Sequence, residues 1–254
     1  MDKNPDSENI FTKKYTVRSY ETDFTRHASF QAISGYMQDT ALHHVQFLDM
    51  GIHELQQQNI TWLLSRIKTK IFRSPAWNEE LTVQTWSPEI DRLYAHREFN
   101  ILDKQNEVIV QASSLYILLD IKSLRPISTK HVLGNFNQFF AKRHFPEIVN
   151  RMKISDNHDF IKSYEVSIED IDLNDHVNNL KYIRWVLDSV PLEIRRSYYL
   201  ETFEINYQNS AVLSDFVNAY IKQIPDDRYH FEHSLLKESN GAILVTARSM
   251  WQKL

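Results

Sequence analysis

Residues 170–188 read D-I-D-L-N-D-H-V-N-N-L-K-Y-I-R-W-V-L-D, and this stretch decides the fold. Asp170 to His176 are mostly short polar residues, without Gly or Pro. From Val177 onward, Val177, Leu180, Ile183, Val186, Leu187 and Val190 recur at the 3.6-residue spacing of a helix with one buried face. A polar loop therefore runs directly into a buried helix. Such a helix start carries unpaired N–H groups and partial positive charge, which suit a developing anion. Asp172, Asn174 and His176 supply a carboxylate, an amide and an imidazole at alternate positions, a combination suited to hydrolysis. Asp172 or Asn174 could simply cap the helix, but the convergence of three complementary groups puts function ahead of structure for His176 and Asp172, while Asn178 and Asn179 fit either role.

Outward from this stretch, the chain repeats itself. Tyr20 to Asp39 aligns beneath it at an offset of 149, with Asp23 on Asp172, His27 on His176, Ile33 on Tyr182, Tyr36 on Trp185 and Asp39 on Asp188. After the first helix, with Gly51 expected as its C-cap, residues 61–73, 81–86, 93–102 and 108–120 read as strands. After the second helix, residues 199–207, 216–224, 229–237 and 242–251 repeat the series, and residues 13–19 are β-like. Turn residues separate the strands, among them Ser74-Pro75, Ser87-Pro88, Pro225-Asp226-Asp227 and Ser239-Asn240-Gly241. Each half is a strand, a helix and an antiparallel meander. An apolar helix beside one curved sheet is buried most economically when the sheet wraps it. The expected fold is α+β, a tandem double hotdog with the two sheets side by side.

The expected organisation is a flexible lead-in over 1–12, a first hotdog over 13–120, a connection over 121–160 and a second hotdog over 161–254. The connection carries Phe136, Phe139 and Phe140, too apolar for a free linker, and is expected to pack as helix plus coil.

Composition narrows the function. The chain has 254 residues, 42% hydrophobic and 24% charged, as in soluble globular proteins. Four glycines and no Gly-rich phosphate motif leave a nucleotide site without support. With no cysteine, a thiol nucleophile, thiolate metal ligation and disulfides are excluded. No metal site or cofactor is expected. Net charge of −4 argues against nucleic acid, and no apolar run approaches a membrane span. The polar, acidic start MDKNPDSENI is unlike a signal or transit peptide.

Asp172-Leu173-Asn174-Asp175-His176-Val177-Asn178-Asn179, with Lys181-Tyr182-Ile183 and Trp185, closely resembles the signature of the acyl-ACP thioesterases. These are double-hotdog enzymes that release fatty acids from acyl carrier protein in plant plastids and bacteria. Tyr20-Glu21-Thr22-Asp23, residues 77–81 and residues 203–207 extend the resemblance over nearly the whole chain. It implies that Asp172, Asn174 and His176 belong to the catalytic network. The start unlike a transit peptide makes the chain look like a bacterial member working in the cytoplasm, and two paired hotdog units are compatible with a monomer or a homodimer. The plant enzymes place a Glu followed by Cys on the strand after the second helix; the matching window here, Gln208-Asn209-Ser210, holds neither. Either Asp172 and His176 suffice, or the activity is weak or altered; single-hotdog acyl-CoA thioesterases that rely on an Asp at the position of Asp172 favour sufficiency by resemblance.

The expected reaction is hydrolysis of fatty acyl-ACP by activated water, with backbone N–H groups near Val177, Asn178 and Asn179 stabilising the oxyanion. Imidazoles change protonation near neutral pH, which suits His176 as base, while Asp172 either orients it or is itself the base. The first half, with Thr25 opposite Asn174, is expected to form the acyl pocket, with Trp62, Phe72, Trp77, Trp86 and Tyr94 as aromatic lining. Lys142-Arg143, Arg151 with Lys153, Arg184 and Arg195-Arg196 are candidates to meet an acidic carrier. The alternatives are an acyl-CoA or aroyl-CoA thioesterase, or a non-catalytic acyl-binding hotdog protein.

Overall fold

Helix α1 (Phe30–Phe47) starts where it does because Ser29 caps it, its side chain accepting the Ala32 N–H at 3.2 Å. Ile33, Tyr36, Met37, Thr40, Ala41, His44 and Val45 form its buried face, at helical spacing. The computed structural model describes residues 9–133, 142–149, 152, 158–172, 175–225 and 229–253. Leu48 closes α1, and Asp49 turns the chain with a positive φ of 55°. Gly51 is therefore not the C-cap that the sequence suggested. It opens a second short helix, α2 (Ile52–Gln56), with an extended φ of −68°.

The chain divides into two compact units, Met1–Val149 and Asn150–Leu254. In the first, β1 (Phe11–Thr16), β2 (Ile60–Ile71), β3 (Glu80–Trp86), β4 (Ala95–Leu102) and β5 (Val108–Asp120) form an antiparallel sheet in the order β1-β3-β4-β5-β2. The short β6 (Pro126–Ile127) adds to β5. Register pairs Tyr15 with Leu81, Thr85 with Phe99 and Phe99 with Ala112. Helix α1 lies against β1 and β3, and Leu81, Val83, Phe99, Ile101 and Ala112 are buried in the core. Burying such side chains stabilises by about 1.5–3 kcal/mol each before entropy is subtracted. Next come α3 (Thr129–Val132), only four residues long, and a 3-10 turn at Pro146–Val149. Phe136, Phe139 and Phe140 lie outside the described residues.

The second unit holds β7 (Asp159–Glu165), α4 (Asn179–Leu187), α5 (Leu192–Ser197), β8 (Tyr198–Tyr207), β9 (Phe216–Ile224), β10 (Tyr229–Lys237) and β11 (Ile243–Lys253). Its antiparallel order is β8-β11-β10-β9-β7. Helix α4 lies against β10. It is shorter than its apolar period suggested. Asn178 caps one end, and Pro191, next to α5, cannot continue a helix at the other. Val186, Leu187 and Val190 are nonetheless all buried. Each unit is a hotdog, one helix on one antiparallel sheet, as the repeat implied. No helix among the described residues is long and apolar enough to cross a membrane.

Candidate functional site

The loop before α4 is closed by its own backbone. Ile171 and Val177 form a β-bridge, the Asp172 N–H donates to the His176 carbonyl at 2.8 Å, and the Asp175 N–H donates to the Asp172 carbonyl at 3.2 Å. Asp175 takes the left-handed turn, φ 59°, which Asp tolerates better than most residues. Asp172 is half-buried and His176 exposed at the two ends of this turn. Asn174 and Leu173 lie outside the described residues.

Asp170 fastens the turn to the fold. Its carboxylate accepts the Ser167 N–H at 2.9 Å and O–H at 2.8 Å, pairs with the Lys181 ammonium at 3.1 Å, and its carbonyl accepts the Asn178 N–H at 2.8 Å. Burial works to raise the carboxyl's pKa, but the Ser167 donors and Lys181 outweigh it and hold the group below the usual carboxylate range.

These bonds narrow the oxyanion expectation. The Val177 N–H is taken by the Ala211 carbonyl at 3.1 Å and the Asn178 N–H by Asp170. The Asn178 side chain caps the helix, accepting the Leu180 N–H at 3.0 Å. Among the described residues, Asn179, the first helical residue, is left to present the helix-start amide.

The first unit repeats these backbone bonds. Thr22 bridges Ala28, the Asp23 N–H donates to the His27 carbonyl at 2.9 Å, and Arg26 takes the turn with φ 65°. Ser29 N–H to Glu21 O, at 2.9 Å, matches Asn178 to Asp170, and Ala28 N–H to Pro75 O, at 2.8 Å, matches Val177 to Ala211. Thr25 donates its hydroxyl to Asp23 and lies 3.2 Å from His27 Nδ1. The repeat is thus a duplicated scaffold, and the two loops differ in side chains.

The 208–210 window lies beside the second loop, because Ala211 is bonded to Val177. Gln208 donates to Thr246 Oγ1 at 3.3 Å, Asn209 donates to the Ile243 carbonyl at 2.7 Å, and Ser210 is exposed. Sequence reasoning gave no role to Tyr182, whose hydroxyl meets the Ala211 amide. A buried tyrosine one turn into the helix, needing a partner for its hydroxyl, was the available signal.

The aromatic residues proposed as lining take different positions. Trp62 is half-buried against a cluster of Leu55, Ile60, Leu118 and Leu133, donates to the Met50 carbonyl at 3.1 Å and meets Tyr116 edge-on. Trp86 is buried and donates to the Lys142 carbonyl at 2.8 Å. Tyr94 is half-buried beneath the Arg66 guanidinium. Phe72 and Trp77 are 48% and 60% exposed. An open cleft of about 800 Å³ in this unit is lined by Lys13, Lys14, Arg18, Glu80 and Lys104, charges that do not suit an acyl chain.

Of the basic candidates, Arg143 pairs with Glu89, and Arg184 and Arg195 both pair with Asp188. Arg196 is exposed on α5, and Arg151 and Lys153 lie outside the described residues. Among the described residues no cluster of three or more His, Cys, Asp or Glu side chains could hold a metal ion.

Comparison with known proteins follows the same division. The family model of the acyl-ACP thioesterase N-terminal domain matches residues 8–151, and that of the C-terminal domain matches residues 153–253. The oleoyl-acyl carrier protein thioesterase of Coriandrum sativum is 26% identical over 96% of this chain and 77% of its own length. The palmitoyl-acyl carrier protein thioesterase of Gossypium hirsutum is 24% identical over 96% of the chain, which spans 64% of that protein. In fold, the chain is similar to an acyl-ACP thioesterase from Bacteroides thetaiotaomicron, with a TM-score of 0.87 at 22% identity, covering 97% of this chain and 99% of that one. It is also similar to the 12:0-ACP thioesterase from Umbellularia californica, with a TM-score of 0.85 at 23% identity, covering 96% and 98%.

Proposed function

The chain belongs to the acyl-ACP thioesterase family, and we propose that it hydrolyses the thioester of a fatty acyl chain on acyl carrier protein, releasing the free fatty acid. The observation that supports this reading is the bond from the Asp172 N–H to the His176 carbonyl, which draws the two ends of the loop together ahead of α4, in the unit whose sequence carries Asn174.

Water attacks the thioester carbonyl and gives its proton to the Asp172–His176 pair. Asn174, through the family resemblance, orients the water or the carbonyl. Negative charge on the carbonyl oxygen is met by the Asn179 amide and the partial positive charge of the helix start. Collapse of the tetrahedral intermediate breaks the C–S bond, and the thiolate recovers the proton. In this reading the first unit binds the acyl chain, because its duplicated loop carries Thr25 instead of an amide. Trp62 and Tyr94, both half-buried, suit its lining better than the exposed Phe72 and Trp77. Arg196, exposed beside the paired Arg195, is the cation offered to the acidic carrier.

Hydrolysis of a panel of acyl-ACPs and matched acyl-CoAs, with His176→Ala as control, tests the proposal. Expected are fast release from ACP, slow release from CoA, and loss of most turnover in the variant. Preference for CoA would assign the chain to the acyl-CoA thioesterases. Binding without release from either carrier would make it an acyl-binding protein.

A further inference from the structure

The second unit contains a contact that its duplicate cannot make. The Tyr182 hydroxyl accepts the Ala211 N–H at 2.8 Å, and both residues are buried, Tyr182 being 2% exposed. The Ala211 carbonyl accepts the Val177 N–H at 3.1 Å. Residue 211 is therefore held through both of its backbone polar groups, by the residue before the helix cap and by a side chain one turn further on. In the first unit the carbonyl bond persists, Ala28 to Pro75. The residue matching Tyr182 is Ile33, without a hydroxyl, and the residue matching Ala211 is Pro75, without an N–H. Donor and acceptor are thus both missing from the half whose loop has Thr25 where the other has Asn174.

Neighbouring rings hold the phenol in place. Tyr182 meets Trp185 edge-on at 5.5 Å and Tyr207 at 6.1 Å, and the Tyr207 hydroxyl donates to the Asn179 carbonyl at 3.3 Å. Burial pushes the Tyr182 pKa up to about 12, the Ala211 N–H opposing, with the negative charges of Asp215 and Asp172 adding to the rise. The phenol is therefore neutral at working pH and lies within the field of Asp172.

We propose that Tyr182 is a positioning residue for thioester hydrolysis, holding Ala211 so that its carbonyl keeps the Val177 amide, and with it the start of α4 and the Asp172–His176 turn, in place. The proposal rests on the reading of that turn as the hydrolytic site. It assigns to the duplicated scaffold one device that separates the working half from the binding half. A buried amide that loses its acceptor moves to find another, and a displacement of about 1 Å near a reacting centre can cost up to about a hundredfold in rate.

Tyr182→Phe keeps the ring and removes one oxygen. The expected result on acyl-ACP is a kcat about tenfold lower, with KM within about twofold, in protein whose circular dichroism shows it folded. Ala211→Pro, which removes the donor instead, should give the same loss, and the double variant no further loss, since both delete one contact. An unchanged kcat in Tyr182→Phe overturns the proposal, as does a loss that only follows the unfolded fraction. Losses that multiply in the double variant also overturn it. His176→Ala is run alongside. If that variant is active, the site reading itself fails; if it is inactive while Tyr182→Phe is fully active, only the role given to Tyr182 fails.

Discussion

Asp170→Ala should separate the scaffold's contribution to stability from its contribution to turnover, because the duplication supplies a matched control. The Asp170 carboxylate receives the Ser167 N–H and O–H and pairs with the partly exposed Lys181 ammonium. Hydrogen bonds to a charged group contribute about 1.5–3 kcal/mol each, a partly exposed ion pair about 1 kcal/mol or less, and solvent refills part of the loss. A total of about 3 kcal/mol is expected, or a fall in Tm of about 6–12 °C for a chain of this size. Glu21, at the offset of 149, receives the Arg18 N–H and the Tyr36 hydroxyl, both at 2.7 Å. Glu21→Ala should therefore cost about 2 kcal/mol by the same reasoning. The two variants should diverge in turnover. Asp170→Ala loosens the 172–176 turn and should lower kcat about tenfold or more, whereas Glu21→Ala should leave kcat per folded molecule unchanged. Thermal unfolding reads the stability, and initial rates on acyl-ACP, taken below the melting range of every variant, read the turnover. Equal losses of kcat in both variants, or full activity in Asp170→Ala, would refute the reasoning.

Further expectations concern acid, the missing carboxylate and the carrier. Burial first, then Arg97 for His44 and His158 for His233, pushes both imidazoles down to about 3, while burial raises Glu98 to about 7 against its Ser113 and His144 donors. Between pH 6.5 and 4.5 the unfolded chain gains two histidine protons that the folded chain refuses, and the folded chain alone keeps the Glu98 proton. The net difference of one proton lowers stability on acidification by about 1.4 kcal/mol per pH unit from these groups; urea midpoints that stay flat or rise from pH 6 to pH 5 would contradict it. Ser210→Glu, which returns a carboxylate beside the turn, should raise kcat about tenfold, and an unchanged rate would show that Asp172 and His176 already suffice. Arg196→Glu should raise KM for acyl-ACP at low salt, with the effect fading as salt screens it; a salt-independent KM would remove this residue from the carrier surface.

The duplication, the strand series and the polar loop entering an apolar helix were legible in the sequence because they depend on local period and turn chemistry. Asp23 and His27 fall under Asp172 and His176 at one offset, and the structure repeats even the left-handed residues, Arg26 and Asp175. The ends of the helices were less legible. Gly51 opens α2 and α4 stops at Leu187, since caps depend on which side chain captures which amide. Burial of aromatic residues was not legible either: Trp77 reads as lining in a strand-rich half, yet its turn places it in solvent. Most of all, the bonds joining Val177 and Tyr182 to Ala211 cross about thirty residues of chain. By itself, then, the sequence determined the repeated hotdog scaffold and the polar loop to which the proposed chemistry is assigned. Only the tertiary structure decided which amides at the helix start are already spent, because a backbone N–H has the same identity at every position and its partner is chosen by what folds against it.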